Sequence, residues 1–304
     1  MHVLVTGATG FIGRALTQRL EAEGHSVSAW VRNPTAARAA LGEGPRLLDA
    51  SRSASLSEVM AEIDGVINLA GEPVALTRWT EARRERLVAS RVDVTRVLVA
   101  AMTACTARPH VLVSASAVGY YGDRGDDLVD ESSPAGSGFL ADLCKAWEAA
   151  AHEASPLGVR VTSPRIGIVL GPGGGALAPM LPAFKAGLGG PIAGGKQWMS
   201  WIHLDDMVNL LLTLLTDDRY HGPVNATAPN PVTNAEFTKS LGAALHRPTV
   251  VPLPGFALKL ALGESAEVVI GGQRVRGRRT EELGFRFAHE SLAAALEDIV
   301  RRGR

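Results

Sequence analysis

The chain has 304 residues, with 31 basic and 31 acidic side chains that leave no formal net charge, and 46% hydrophobic content. Zero net charge supplies no electrostatic drive toward nucleic-acid phosphates or an anionic lipid surface, so neither partner is expected. Its two cysteines, Cys105 and Cys144, lie outside any CxxC or Cys/His cluster, which argues against a disulfide framework and a structural zinc site. No apolar run is long enough to span a bilayer, and no basic leader precedes the first strand; a cytoplasmic monomer or homodimer is expected.

Short β-branched runs alternate with amphipathic stretches over the first two-thirds of the chain, which predicts a parallel sheet wrapped by helices. Strands are expected at 2–6, 26–31, 65–69, 110–114 and 160–168, and helices at 14–23, 86–104 and 139–152. Runs such as Val3-Leu4-Val5 are continuously apolar, as strands buried on both faces should be. Past Gly171 the texture turns Gly- and Pro-rich up to Gly195, then a helix at 203–215 and a strand at 222–227 are expected. The predicted fold is α/β, a Rossmann doubly wound parallel sheet over 1–172, to which 204–228 returns, with a smaller α+β substrate-side lobe over 173–304. The final Arg301-Arg302-Gly303-Arg304 reads as a frayed, solvated helix end.

Gly7-Ala8-Thr9-Gly10-Phe11-Ile12-Gly13 follows the first strand and opens the first helix. Gly7 permits a tight turn, Gly10 lets backbone N–H groups approach a pyrophosphate, and Gly13 lets the helix pack on the strand. The bland alternative is a glycine turn with no ligand. At the end of the second strand a carboxylate would bind the ribose 2′-hydroxyl of NAD; here stands Arg32, whose planar fork suits a 2′-phosphate. NADP(H) is therefore the expected cofactor, with Arg38 a weaker helper.

The G-x-x-G-x-x-G spacing resembles the extended short-chain dehydrogenase/reductase superfamily. The resemblance implies adenine contact around Asp49, close backbone approach to the cofactor at Leu69, Ala70 and Gly71, and a nicotinamide-side segment containing Arg165, Gly167 and Ile168. It also implies a serine strand ending at Ser116, a Tyr-Gly turn at Tyr120-Tyr121-Gly122, and a helix carrying the Tyr-x-x-x-Lys pair. Lys145 matches the lysine, but four residues before it stands Ala141, so the usual phenol is missing. Any phenol acting here comes from Tyr120 or Tyr121, with Ser116 orienting the substrate; Lys145 is either a ribose anchor or a solvated helix lysine.

Further segments resemble one subgroup, the epimerase-family proteins with a DUF1731 C-terminal segment, related to human short-chain dehydrogenase/reductase 39U. They include Leu143-Cys144-Lys145-Ala146-Trp147-Glu148, the run Ser200-Trp201-Ile202-His203-Leu204-Asp205-Asp206, Leu262-Gly263-Glu264 and Gly284-Phe285-Arg286-Phe287. Where that subgroup usually carries a proline, this chain has Val275-Arg276-Gly277-Arg278-Arg279. Gln197 and Trp198 are candidate pocket-lining residues, Trp201 a core residue, and Asp205 and Asp206 a helix N-terminal turn. The expected function is an NADP(H)-binding oxidoreductase or epimerase-like protein acting on a small carbonyl or sugar-like substrate. The alternative is a non-catalytic NADPH sensor. No metal ligand set is visible.

Overall fold

The computed structural model describes residues 1–52, 54–74 and 77–303. Its main sheet is all parallel, in the order β3-β2-β1-β4-β5-β8-β12. The strands are β1 (His2–Thr6), β2 (Ser26–Val31), β3 (Arg46–Asp49), β4 (Gly65–Asn68), β5 (Val111–Ser114), β8 (Arg160–Ile166) and β12 (Gly222–Ala226). A short β6 (Ser116–Ala117) pairs beside β8, and β7 (Leu128–Val129) lies outside this sheet. Register aligns Thr6 with Asn68 and Asn68 with Ser114, while Val31 aligns with Asp49. The C-terminal ends of the central strands thus form one edge, where open α/β sheets bind ligands.

On one face pack α1 (Phe11–Ala22), α2 (Pro34–Leu41) and α8 (Leu204–Thr216), through Leu16, Leu20, Met207, Leu211 and Leu214. On the other pack α3 (Ala54–Met60), the helix 81–104 and α6 (Phe139–His152), through Met60, Leu98, Met102 and Ala151. The expected helix at 86–104 starts earlier than its apolar pattern suggested. It runs from α4 (Glu81–Val88), capped by Thr80, through one π-helical turn at Ala89–Asp93 into α5 (Val94–Ala104). Inserted π turns are uncommon and cluster at functional sites.

The strand expected at 160–168 is two strands. β8 pairs with β12, and after Gly167 the chain pairs as β9 (Ile168–Leu170) with β11 (Trp201–His203). A Cβ at Gly167 would stand 2.4 Å from Ser200 O, so the crossing admits only glycine. Beyond it lie α7 (Leu181–Lys185), β10 (Trp198–Met199) paired with β13 (Val232–Thr233), α9 (Asn234–Leu245) and α10 (Gly255–Leu262). The chain ends in α11 (Glu267–Ile270), β14 (Arg274–Val275), α12 (Arg278–Glu282) and α13 (Leu292–Arg302). A further core of Leu177, Phe184, Trp201, Phe237, Leu241 and Leu296 joins α7, β11, α9 and α13. β14 pairs with β7, so the segment lacking the subgroup's proline starts in a two-residue ladder at Val275 and passes through Gly277 into α12.

The C-terminal helix is anchored, which corrects the expectation of a frayed end. Arg302 reaches both Asp205 (2.7 Å) and Asp298 (3.2 Å), and Arg301 pairs with Asp298; Arg304 lies outside the described residues. Asp205 and Asp206 do sit in the first turn of α8, capped by the His203 side chain. Asp206 does more than complement a helix dipole: fully buried, it accepts the backbone N–H groups of Ala288 (2.8 Å) and His289 (2.9 Å).

Candidate nucleotide-binding and catalytic site

The glycine turn closes as its spacing predicts. Gly7 has φ +66° and Gly10 N–H donates to Gly7 O at 2.9 Å. A Cβ at Gly7 would stand 2.6 Å from Leu69 O, and one at Gly13 would stand 2.2 Å from Gly7 O. No side chain caps α1, and its first hydrogen bond runs from Arg14 N to Gly10 O. The N–H groups of Phe11, Ile12 and Gly13 are left for a ligand, at the positive end of the helix. Thr9 and Gly10 are exposed, Leu69 and Ala70 half-buried beside them. The cradle fits a pyrophosphate.

Arg32, just past β2, is exposed and makes no hydrogen bond or ion pair among the described residues. Arg38, by contrast, donates to Gly42 O and Pro45 O and pairs with Glu43, so it is occupied. Asp49 ends β3 with its carboxylate accepting Ser51 N–H, which holds it below its ordinary value.

Below the strand ends runs a buried hydroxyl–amide network that orders the edge. Thr6 Oγ1 donates to Asn68 Oδ1 (2.6 Å), while Asn68 Nδ2 donates to Thr95 Oγ1 (2.8 Å) and Ser114 Oγ (3.0 Å). Trp147 Nε1 also donates to Thr95 Oγ1, linking α6 to the helix 81–104.

The four candidate catalytic residues do not converge. Ser116 is buried, and its hydroxyl donates to Glu148 Oε1 at 2.6 Å. Arg165, expected along the cofactor, is instead 3% exposed and clamps Glu148 with two bonds, Nε–Oε1 2.8 Å and Nη2–Oε2 2.9 Å. Its Nη1 donates to Tyr121 Oη (3.0 Å), and Tyr121 Oη donates to Asn225 Oδ1 (2.7 Å). Tyr121 is completely buried, and burial pushes its phenol up to about 12. Ser116, Arg165 and Tyr121 thus direct their polar atoms within the protein, to Glu148, to Asn225 and, between Arg165 and Tyr121, to each other.

Tyr120 stands apart. Its half-buried ring lies 3.4 Å under the Arg165 guanidinium carbon and edge-on to Tyr121, and its hydroxyl has no partner among the described residues. Lys145, exposed on α6, pairs with Asp142 at 2.7 Å and meets neither tyrosine. Ala141, one turn earlier, is buried.

Two sets of contacts are not legible in the motifs. Glu131 is a buried carboxylate that accepts Asn225 N–H (2.9 Å), Arg278 N–H (3.1 Å) and Arg279 N–H (3.3 Å). Phe11 is wrapped by the loop 171–175: a Cβ at Gly174 would stand 2.4 Å from its ring, and one at Gly175 2.6 Å. Of the expected lining residues, Gln197 donates to Ile192 O and Val269 O, while Trp198 donates to Asp126 and lies under Arg274. Neither lines the cavity of about 770 Å³ between the start of α6, α4 and the α10–α11 segment. That cavity is formed by Arg84, Phe139, Asp142, Lys259, Glu267 and Ile270, among others.

An all-parallel sheet ordered 3-2-1-4-5, with a glycine cradle at the first β–α turn, defines a Rossmann-type nucleotide-binding protein. The model of the NAD dependent epimerase/dehydratase family matches residues 3–226, and a domain of unknown function, DUF1731, matches 253–299; the chain belongs to that epimerase family. It is 45% identical to the Arabidopsis thaliana epimerase family protein SDR39U1 homolog, chloroplastic, over 99% of this chain and 87% of the relative. It is 40% identical to the Homo sapiens epimerase family protein SDR39U1, over 99% and 100%. A crystal structure of that human protein with NADPH superimposes with a TM-score of 0.87 at 37% identity, covering 99% of each chain. The Thermotoga maritima UDP-glucose 4-epimerase, at 18% identity and TM-score 0.80 over 99% of this chain and 98% of that one, shares the fold.

Among the described residues no helix is long and apolar enough to cross a membrane.

Proposed function

We propose that this protein binds NADPH in the cradle formed by Gly7, Gly10 and Gly13 and reduces a small carbonyl compound, with Tyr120 as proton donor. The observation that carries the cofactor choice is Arg32, a free guanidinium where an NAD site would hold a carboxylate. The human relative crystallised with NADPH supports the same choice.

NADPH supplies the hydride that adds to the carbonyl carbon. The chain's residues supply the rest. The Tyr120 O–H gives its proton to the carbonyl oxygen and regains one from water; the Arg165 cation against the ring face stabilises the transient phenolate. The cavity bounded by Phe139 and Lys259 receives the substrate body, and Lys145 anchors the nicotinamide ribose from α6.

The experiment is a paired titration and turnover measurement. NADPH binds at least tenfold tighter than NADH, about 1.4 kcal/mol, and Arg32→Asp shrinks or inverts the ratio. On a panel of dicarbonyls, quinones and keto-sugars, Tyr120→Phe slows NADPH oxidation by roughly a hundredfold while leaving the fold intact. Equal affinity for the two cofactors sinks the cofactor assignment. A turnover unaffected by Tyr120→Phe sinks the proton donor.

One observation favours a second reading. With Ala141 in place of the phenol and the Ser116 hydroxyl consumed by Glu148, a protein that senses NADPH without turning it over is the alternative. Tight NADPH binding with no oxidation on the whole panel selects it.

A further inference from the structure

Two arginines near the ligand edge of the sheet, the buried Arg165 and the half-buried Arg91, are treated oppositely. Arg165 is compensated by the two oxygens of Glu148. Arg91, in the π-helical turn at Ala89–Asp93, is not. Its Nη1 donates to Leu87 O (3.2 Å) and Ser90 Oγ (3.3 Å) and its Nη2 to Glu72 O (2.8 Å). These partners are neutral. The nearby Glu72 carboxylate is taken by Arg83, and no carboxylate of the described residues lies within ion-pair distance of Arg91. Among the described residues, one Nη2 hydrogen and the Nε hydrogen keep no acceptor.

Burial lowers the Arg91 guanidinium from its ordinary value, with Arg83 adding to the effect. Burial also pulls Arg165 down, but Glu148 and Tyr121 outweigh it and hold that group above its ordinary range. A guanidinium does not give up its proton in proteins, so the unmatched charge at Arg91 is a standing desolvation penalty that an incoming anion relieves.

The surroundings give the position of that anion. Arg91 lies over the Trp147 ring, 5.3 Å from its centroid, and against the backbone of Gly71, where a Cβ would stand 2.9 Å from Cζ. Gly71 is exposed and directly follows Leu69 and Ala70 at the ligand edge of the sheet. Its lack of a side chain keeps the guanidinium open to the cleft. The π turn is itself wired to that edge, since Thr95 Oγ1 donates to Arg91 O (2.7 Å) and accepts from Asn68.

We infer that Arg91 is an anion-receiving group of the cleft, taking carboxylate or phosphate oxygens of a bound ligand through its free N–H fork beside Gly71. The inference rests on the reading of this edge as a NADPH and substrate site, and it narrows the substrate class to carbonyl compounds bearing an acidic group. The alternative source of the same chemistry is the cofactor's own pyrophosphate.

The test uses the full chain with Arg91→Met, which keeps an apolar stem on Trp147, and Arg91→Lys, which keeps the charge. Circular dichroism and thermal melts of both establish that they fold. NADPH affinity is measured by nicotinamide fluorescence. Melting temperature is then followed on NADPH-saturated protein titrated with succinate or inorganic phosphate, at ionic strength matched with chloride. The expected result is a rise of several degrees in wild type, lost in Arg91→Met, partly kept in Arg91→Lys, with NADPH affinity changed less than threefold. A tenfold or greater loss of NADPH affinity in Arg91→Met, recovered in part by Arg91→Lys, assigns the anion to the pyrophosphate and overturns the acidic-substrate class. Unchanged NADPH affinity together with identical anion responses in all three proteins overturns the anion role itself. Wild type that fails to bind NADPH overturns the underlying cofactor reading instead, so the two failures are separate.

Discussion

Arg165 on β8 and Glu148 on α6 form a planar two-bond clamp at 2.8 and 2.9 Å, and Ser116 leans on the same carboxylate at 2.6 Å. The clamp fixes the serine strand, α6 and the Tyr120–Tyr121 turn as one unit. Arg165→Met leaves Glu148 as an unpaired carboxylate, and Glu148→Gln leaves Arg165 uncompensated; each costs about 3–5 kcal/mol. The double variant costs clearly less than the sum. Urea unfolding of all four proteins checks it, and additive losses would rule the coupling out.

Tyr121→Phe separates structure from chemistry. It removes one hydroxyl that joins Arg165 to Asn225 and leaves both groups short of a partner, a loss of about 1–3 kcal/mol. NADPH affinity changes little. A variant as stable as wild type but with turnover lost would return Tyr121 to the catalytic role.

Gly174→Ala acts on the cofactor cradle from a distance. The added methyl collides with the Phe11 ring at the start of α1 and displaces it, so NADPH affinity falls severalfold, roughly 1 kcal/mol. Titration by fluorescence reads the effect. An unchanged affinity would show that the loop 171–175 yields instead of Phe11.

The His203 ring makes stability depend on pH. Burial holds its pKa below the ordinary 6.5, and the stacked His289 at 3.8 Å adds to that, while Asp205, Asp206 and Asp298 pull the other way. The unfolded chain therefore takes up a proton that the native ring refuses. Stability is fully present above about pH 7.5 and falls as pH drops through 6.5 toward the lower native value. His203→Asn keeps a side chain able to cap α8 and flattens the profile below about pH 7.5. Thermal melts across that range measure it, and an equally steep profile in the variant would locate the titration elsewhere.

The elements legible in the sequence were those whose signal is local. β1 is a continuous apolar run, and the glycine spacing after it requires the backbone found there. α2 and β3 carry no such local signal: Leu47-Leu48-Asp49 reads only as a cofactor contact, and β3 is a short edge strand with three of its four residues exposed or half-buried. The break at Gly167 is set by Ser200, a neighbour far along the chain. The tyrosine pair shows the limit most sharply. Adjacent in sequence and identical in chemistry, they part because Asn225 captures the Tyr121 hydroxyl and nothing among the described residues captures that of Tyr120. For Arg165 the motif fixes its place on β8 but not its partner across the strand, Glu148.

Glu131 has a consequence for how the molecule is made. Its carboxylate is buried by residues from both later parts of the chain: Asn225 N–H on one oxygen, Arg278 and Arg279 N–H closing over it. While the chain emerges from the ribosome, the central strands and the glycine cradle are complete long before residue 278 appears. Until then Glu131 stays in water, and the turn carrying Tyr120 and Tyr121 has no floor, since Val275 packs beneath it. A growing chain therefore holds its nucleotide cradle well before residues 275–279 arrive to cover Glu131 and the Tyr120–Tyr121 turn.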